Sequence, residues 1–260
     1  MHVTWLDSNT WLIELGGQRI LLDPWLVGRL VFSNLSWLIE GKRLTSRSLP
    51  ENLDLILLSQ GLEDHAHPPT LQQLDKTIPV VASPSAAKVA QQLNYRQAIT
   101  LDHFESIVLR DRLKIQAFPG FPVGPFVVEN AYLLEDLERG VRLYYEPHGH
   151  PAPALQEMGP VDVVITPILN QELPLVGSII RGGEIALQVC QWLQPQIILP
   201  TAGQGDEIEF EGVLAPWLKT RGTLDEFRSL LSARQLDTRV IAPQVGERIA
   251  LKLEKRTASL

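Results

Sequence analysis

Leu53-Asp54-Leu55-Ile56-Leu57-Leu58-Ser59-Gln60-Gly61-Leu62-Glu63-Asp64-His65 is the stretch on which the reading of this chain turns. A short, unbroken apolar run bounded by polar residues and glycine is the pattern of a strand buried on both faces. It stops at Ser59, and a short loop then delivers an aspartate and a histidine. A loop leaving a buried strand is a rigid base, and a metal site needs ligands that converge from one. Asp64 and His65 supply a carboxylate and an imidazole, groups that suit zinc, manganese or iron. His67, just before Pro68-Pro69, is a further candidate ligand or a cap on the helix that follows. The plain alternative is a loop in which Asp64 caps that helix and His65 bonds backbone.

A second unusual text is Leu143-Tyr144-Tyr145-Glu146-Pro147-His148-Gly149-His150. A strand ends and presents Glu146, His148 and His150 within five residues. Four of the six histidines fall in these two loops, which argues against two unrelated polar turns. His148 is a candidate ligand, His150 a further one, and Glu146 a ligand or a general base for a metal-bound water. His2 and His103 have no such context and read as structural or exposed.

Composition narrows the classes. The chain has 260 residues, 45% hydrophobic and 20% charged, as ordinary globular proteins do. A net charge of −7 and the lack of a Lys/Arg cluster argue against a nucleic-acid partner. The single cysteine, Cys190, excludes an internal disulfide and a thiolate cage, and reads as a buried thiol. No apolar run reaches the roughly 20 residues that span a bilayer, and the N-terminus reads as a strand rather than a signal peptide. The expectation is a cytoplasmic protein without a membrane partner.

Strands are expected at 2–6, 10–14, 18–22, 54–58, 79–82, 98–100, 105–109, 113–118, 127–134, 141–145, 161–165, 196–199, 238–242 and 246–253. Helices are expected near 69–76, 85–94, 151–157, 182–193, 210–218 and 223–234. Residues 29–50 read as an irregular surface excursion. Hairpins with helices interposed suggest two mixed sheets face to face, helices outside both. Composition marks no boundary, so one domain, 1–260, is expected, in two related halves of about 1–130 and 131–260.

The first of these texts resembles the metal-binding signature of the metallo-β-lactamase superfamily, a strand followed by Thr-His-x-His-x-Asp-His. Ser59 stands for the threonine and Asp64-His65 match, but Gln60 and Leu62 occupy the places of the two leading histidines. Trp5-Leu6-Asp7-Ser8-Asn9-Thr10-Trp11-Leu12-Ile13-Glu14 and Ile20-Leu21-Leu22-Asp23-Pro24-Trp25 look like the opening of the ascorbate-6-phosphate-lactonase-like branch, with Ser8 at a family histidine. Gly159–Ile168 and Gly183–Ala186 also match the frame, so the resemblance runs from about residue 2 to 205.

The resemblance implies a four-layer αββα sandwich, α/β (α+β) in class. It implies that Asp23 supports the metal loop from beneath. It aligns His148 with a metal-bridging aspartate, an exchange that implies a mononuclear site. The family's remaining histidines have no counterpart. Gln116–Pro125 offers no ligand and reads as a pocket wall or lid, and Ala202 stands in the last histidine's place, with Gln204, Asp206 and Glu207 nearby as possible oxygen ligands.

The function expected is a metal-dependent hydrolase of an ester, lactone or phosphodiester, using one divalent metal: zinc first, with manganese or iron compatible. Asp64, His65 and His148 would bind it, with Asp64 and Glu146 as the candidate catalytic residues. The substrate would be a small molecule, anionic if Arg29, Lys42, Arg43 and Arg47 hold it. The alternatives are a non-catalytic binding or scaffold protein on the same fold, and an iron-based redox role. Fold alone names no substrate.

Overall fold

The computed structural model describes residues 1–45, 47–123, 127–174, 177–202, 205 and 207–256. Two seven-stranded sheets repeat one plan. In the first, the antiparallel run Arg248–Ala250, His2–Trp5, Trp11–Leu15, Gln18–Leu22 continues into the parallel run Leu55–Leu58, Val80–Ala82, Ala98–Thr100. In the second, the parallel run Arg239–Val240, Ile197–Pro200, Val163–Thr166, Val141–Tyr145 continues into the antiparallel run Val127–Asp136, Leu113–Val123, Ser106–Leu109. The chain passes between sheets at 100–106, earlier than the division near 130 expected from the sequence, and the last strand returns to pair with the first.

Three apolar layers separate four structural ones. Val3, Trp11, Ile13, Leu55 and Leu57 pack against Ile115, Tyr132, Leu143 and Ile165 between the sheets. Leu21, Ile56, Leu58 and Val80 pack against the helices Pro68–Gln73 and Pro84–Gln92. Leu133, Tyr144, Val164 and Ile198 pack against the helices Glu184–Leu193 and Leu224–Ala233. Alternate residues of the central strands serve opposite faces, so Leu55-Ile56-Leu57-Leu58 is apolar throughout because both of its faces are covered. The fold is the expected αββα sandwich.

Local signals set the helix starts. Ser83 accepts from the Ala86 N–H and Thr223 from the Glu226 N–H, and each precedes its helix as an N-cap. Proline in the first turn opens both N-terminal helices, where no backbone donor is lost.

Two smaller sheets depart from the expectation. Arg29–Val31 and Glu40–Arg43, within the segment read as irregular, pair with Ile208–Glu211. The helix expected near 210–218 is that strand and a short 3-10 turn, Ala215–Trp217. Asn170–Leu173 pairs with Gly177–Ile180 and Lys219–Arg221. No described helix is long and apolar enough to cross a membrane.

Candidate metal centre

Both unusual texts lie at the C-terminal ends of parallel strands. Leu55–Leu58 leads into the 59–65 loop and Val141–Tyr145 into the 146–150 loop. The strand Val127–Asp136 of the second sheet holds the loop of the first. The Tyr132 hydroxyl donates to the Leu58 carbonyl at 2.8 Å and the Asn130 N–H to the Ser59 carbonyl at 3.1 Å. Beyond them, the Gly61 N–H donates to Ser85 Oγ at 2.8 Å, and Ser85 donates in turn to the buried Glu129 at 2.6 Å. A Cβ at Gly61 would sit 2.8 Å from Ser85 Oγ, so this approach requires glycine.

Asp23, fully buried, lies beneath both loops. Its carboxylate accepts from the Ser59 N–H at 2.7 Å, the Ser59 hydroxyl at 2.5 Å, His65 Nδ1 at 2.7 Å and the Tyr145 hydroxyl at 2.7 Å. The bond to His65 fixes Nδ1 as the protonated nitrogen and turns Nε2 outward. Nε2 lies 3.2 Å from Asp64 Oδ2. Burial disfavours the imidazolium, but Asp64 and Asp23 outweigh it and push the His65 pKa up to about 10. For Asp64, burial opposes the carboxylate and the His65 charge outweighs it, so its pKa lies below the ordinary value.

His148 comes from the other sheet, its ring centroid 5.0 Å from that of His65. Burial and the neighbouring His65 charge push it down to about 3, so it is neutral and keeps a lone pair. One ligand atom each from Asp64, His65 and His148 lies within 4.8 Å of the others, and no other His, Cys, Asp or Glu group among the described residues converges so closely.

Gln60, at the place of a family histidine, meets His148 Nδ1 at 2.7 Å. With its amide nitrogen facing Nδ1, the buried Gln60 Oε1 has no partner. With the amide turned over, Oε1 accepts the Nδ1 proton and His148 Nε2 is left free. Asp64 Oδ1 is also buried without a partner. A buried acceptor left unmatched costs about 1–3 kcal/mol. An orphan carboxylate oxygen beside two imidazoles is a donor set that fits a divalent cation.

The other candidates have different work. Glu146 is fully buried, and its two oxygens accept the N–H groups of His148, Gly149 and His150, the first at 3.0 Å and the last at 2.8 Å. Burial raises its pKa to about 6 against these bonds. It builds the turn that presents His148 and lies outside the convergent group. His67 also lies outside that group. Its Nδ1 meets the Thr70 hydroxyl at 3.0 Å and its Nε2 the Arg29 carbonyl at 3.1 Å, so both nitrogens are engaged at the head of the helix. His150 is half-buried and packs edge-on to Phe121, its ring 5.1 Å away. Glu207 pairs with Arg47 rather than reaching the site, while Gln204 and Asp206 lie outside the described residues.

The four basic residues expected to hold an anion are engaged elsewhere. Arg29 pairs with Glu40, Arg47 with Glu207, and Lys42 approaches Glu211 at 3.8 Å. Arg43 donates to the Trp25 and Leu6 carbonyls. Ala202 offers no ligand, and the neighbouring Thr201 hydroxyl accepts from the Trp11 indole. The segment read as a wall continues its strand through Gly120 to Val123, and the Phe121 ring lies 4.5 Å from that of His148. Residues 124 and 125, the end of that segment, lie outside the described residues. The contacts of Gln60 and Glu146 were not foreseen, because no spacing rule reveals a partner 88 residues away or a side chain folded onto its own loop.

Solved structures share this fold at low identity. An isothiocyanate hydrolase from Delia radicum gut bacteria superposes with a TM-score of 0.67 at 15% identity, covering 96% of this chain and 99% of that one. The novel metallo hydrolase Igni18 from the hyperthermophilic archaeon Ignicoccus hospitalis KIN4/I gives 0.65 at 18%, covering 96% and 99%. The metallo-beta-lactamase fold protein YhfI from Bacillus subtilis gives 0.60 at 15%, with the same coverage. No curated protein matches the chain in sequence. The family model described as "Beta-lactamase superfamily domain" matches residues 2–202 and singles out no branch. With that match spanning both sheets and both site loops, the chain belongs to the beta-lactamase superfamily and carries its metallo-β-lactamase fold.

Proposed function

We propose that this protein is a metal-dependent hydrolase of an ester, lactone or phosphodiester, with one divalent cation, zinc first, held by Asp64, His65 and His148. The observation that carries the reading is the meeting of these three side chains from two sheets, with Asp64 Oδ1 buried and unmatched beside two imidazoles. A cation held there supplies Lewis-acid polarisation of a carbonyl or phosphoryl oxygen and brings the pKa of a water to about 7.

The chain's own residues provide orientation and proton handling. Asp23 holds the His65 ring by Nδ1 and keeps Nε2 directed at the centre. Gln60 does the same for His148. Glu146 fixes the loop that carries His148, a positioning role through three backbone bonds. With one Asp64 oxygen on the cation, the other would be placed to take a proton from an attacking water. Phe121, against the His148 ring, keeps water from that side. Three protein ligands leave a position open for substrate, and Gln60, Leu62 and Ala202 remove the residues a second metal would use, which supports a mononuclear site.

The test is hydrolysis of p-nitrophenyl esters, lactones and bis-p-nitrophenyl phosphate by zinc-loaded protein, with Asp64→Ala and His148→Ala as controls. Turnover of one class, lost in both variants while the thermal transition is kept, is the expected result. Turnover equal in the variants, or none in any class, would refute the reading. The non-catalytic alternative draws on one observation: His65 lies between two carboxylates and is charge-compensated without a metal.

A further inference from the structure

A cleft of about 470 Å³ opens beside the 146–150 loop. That volume falls within the range of about 300–1,000 Å³ found for small-molecule sites. Its walls are mostly apolar and come from three elements. Pro119, Pro122 and Val128 come from the long hairpin of the second sheet, Pro151 to Pro153 from the segment after His150, and Ile185, Gln188 and Trp192 from one face of the helix Glu184–Leu193. The helical spacing of these last three places them on a single stripe. Proline and sheet walls are conformationally stiff, so the cleft is formed before anything enters it.

Two polar groups give this cleft chemistry. His150 lines it, and the Phe121 ring contacts both His150 and the His148 of the metal centre, at 5.1 and 4.5 Å. The cleft is thereby joined to the centre by one aromatic side chain. Arg181 lines it too. The Arg181 N–H donates to the His148 carbonyl at 2.9 Å, and Gly149 packs so closely on Arg181 that a Cβ there would overlap the Arg181 carbonyl. The base of this arginine is thus fixed to the catalytic loop. Its guanidinium makes no ion pair among the described residues, whereas every basic residue first considered for an anion has a partner. The Arg181 charge acts on His150 in the same lining, and a guanidinium without an ion pair is a carboxylate receptor, because its planar donors match two carboxylate oxygens.

We propose that this cleft is the substrate subsite of the enzyme and takes an apolar chain ending in a carboxylate, so that the substrate class is an ester or lactone of an amphiphilic carboxylic acid. The scissile bond lies at Asp64, His65 and His148, the chain passes Phe121, and the distal carboxylate meets Arg181. This rests on the hydrolase reading for the reaction, while the subsite itself is testable without turnover.

The experiment is calorimetric titration of the metal-stripped full chain with decanoate, decyltrimethylammonium and acetate. Removing the metal keeps the carboxylate probes from binding at the centre. Decanoate should bind at one site, acetate should give no signal, and the decyl cation should bind about tenfold or more weaker than decanoate. Arg181→Glu should weaken decanoate by about tenfold and strengthen the cation, with zinc binding unchanged. Ile185→Glu, which places a charge on the apolar wall, should weaken both. Equal affinity for the two decyl probes, decanoate binding unaltered by Arg181→Glu, or no decanoate binding would each overturn the assignment. A failed subsite alongside zinc-dependent turnover leaves the hydrolase reading standing. An occupied subsite without turnover leaves only the cleft.

Discussion

The two loops at the strand ends are built on opposite principles. The 59–65 loop is held from outside: Asp23, just past the end of the neighbouring strand Gln18–Leu22, accepts from Ser59 and His65 and also from Tyr145 of the other sheet. The 146–150 loop is held from within, by Glu146 folded onto its own three backbone N–H groups. Both loops spend a buried carboxylate on geometry, and of Asp23, Glu146 and Asp64 it is Asp64 that keeps a buried oxygen unmatched. The difference teaches that a carboxylate's sequence neighbourhood does not name its job. Glu146 stands two residues from a proposed ligand yet shapes backbone, while Asp23 lies 42 residues from His65 and sets its orientation.

The comparison is open to attack by substitution. Asp23→Ala strips a partner from four donors, three in the 59–65 loop and one on the strand Val141–Tyr145, and should cost about 3–5 kcal/mol in urea unfolding, as breaking a buried charged network does, with zinc binding lost as well. Glu146→Gln keeps the shape and replaces one acceptor oxygen with a donor facing backbone N–H. It should cost about 1–3 kcal/mol yet retain zinc at one equivalent. An unchanged stability with abolished turnover would instead make Glu146 a catalytic base. His67→Ala should cost about 1–2 kcal/mol through the Thr70 and Arg29 contacts, with zinc stoichiometry unaltered. A lost equivalent would return His67 to the ligand set.

The smallest effect concerns pH. The His65 pKa is raised to about 10, so the stability its imidazolium contributes is present in full below about pH 6.5 and is lost as pH rises towards 10. Metal-free protein should therefore lose about 1 kcal/mol between pH 7 and 8. Zinc binding displaces this proton, so affinity should rise over the same interval, with close to one proton released, measured by calorimetry in buffers of different ionisation heat.

Much of the sandwich was legible in the chain. Leu55–Leu58, Val141–Tyr145 and Ala98–Thr100 announce themselves by apolar runs between turns. The convergence of Asp64, His65 and His148 was legible through the resemblance. The sheet joining Glu40–Arg43 to Ile208–Glu211 was not, since its pairing spans over 160 residues and Glu211-Gly212-Val213-Leu214 carries a helix-like mixture of apolar and polar residues. The contacts of His67 were not legible either, because its proximity to Asp64 along the chain does not reveal that Thr70 and the Arg29 carbonyl engage both ring nitrogens. The place of Arg181 was not legible because His148 and Gly149, on which it packs, are remote in sequence.

The most direct measurement is zinc stoichiometry, by calorimetry and elemental analysis, on metal-stripped wild type, Asp64→Ala and His148→Ala. A centre shared between the two loops predicts close to one equivalent in the wild type and almost none in either variant, each retaining its cooperative unfolding transition. Two equivalents in the wild type, none, or one that persists without His148 would contradict it.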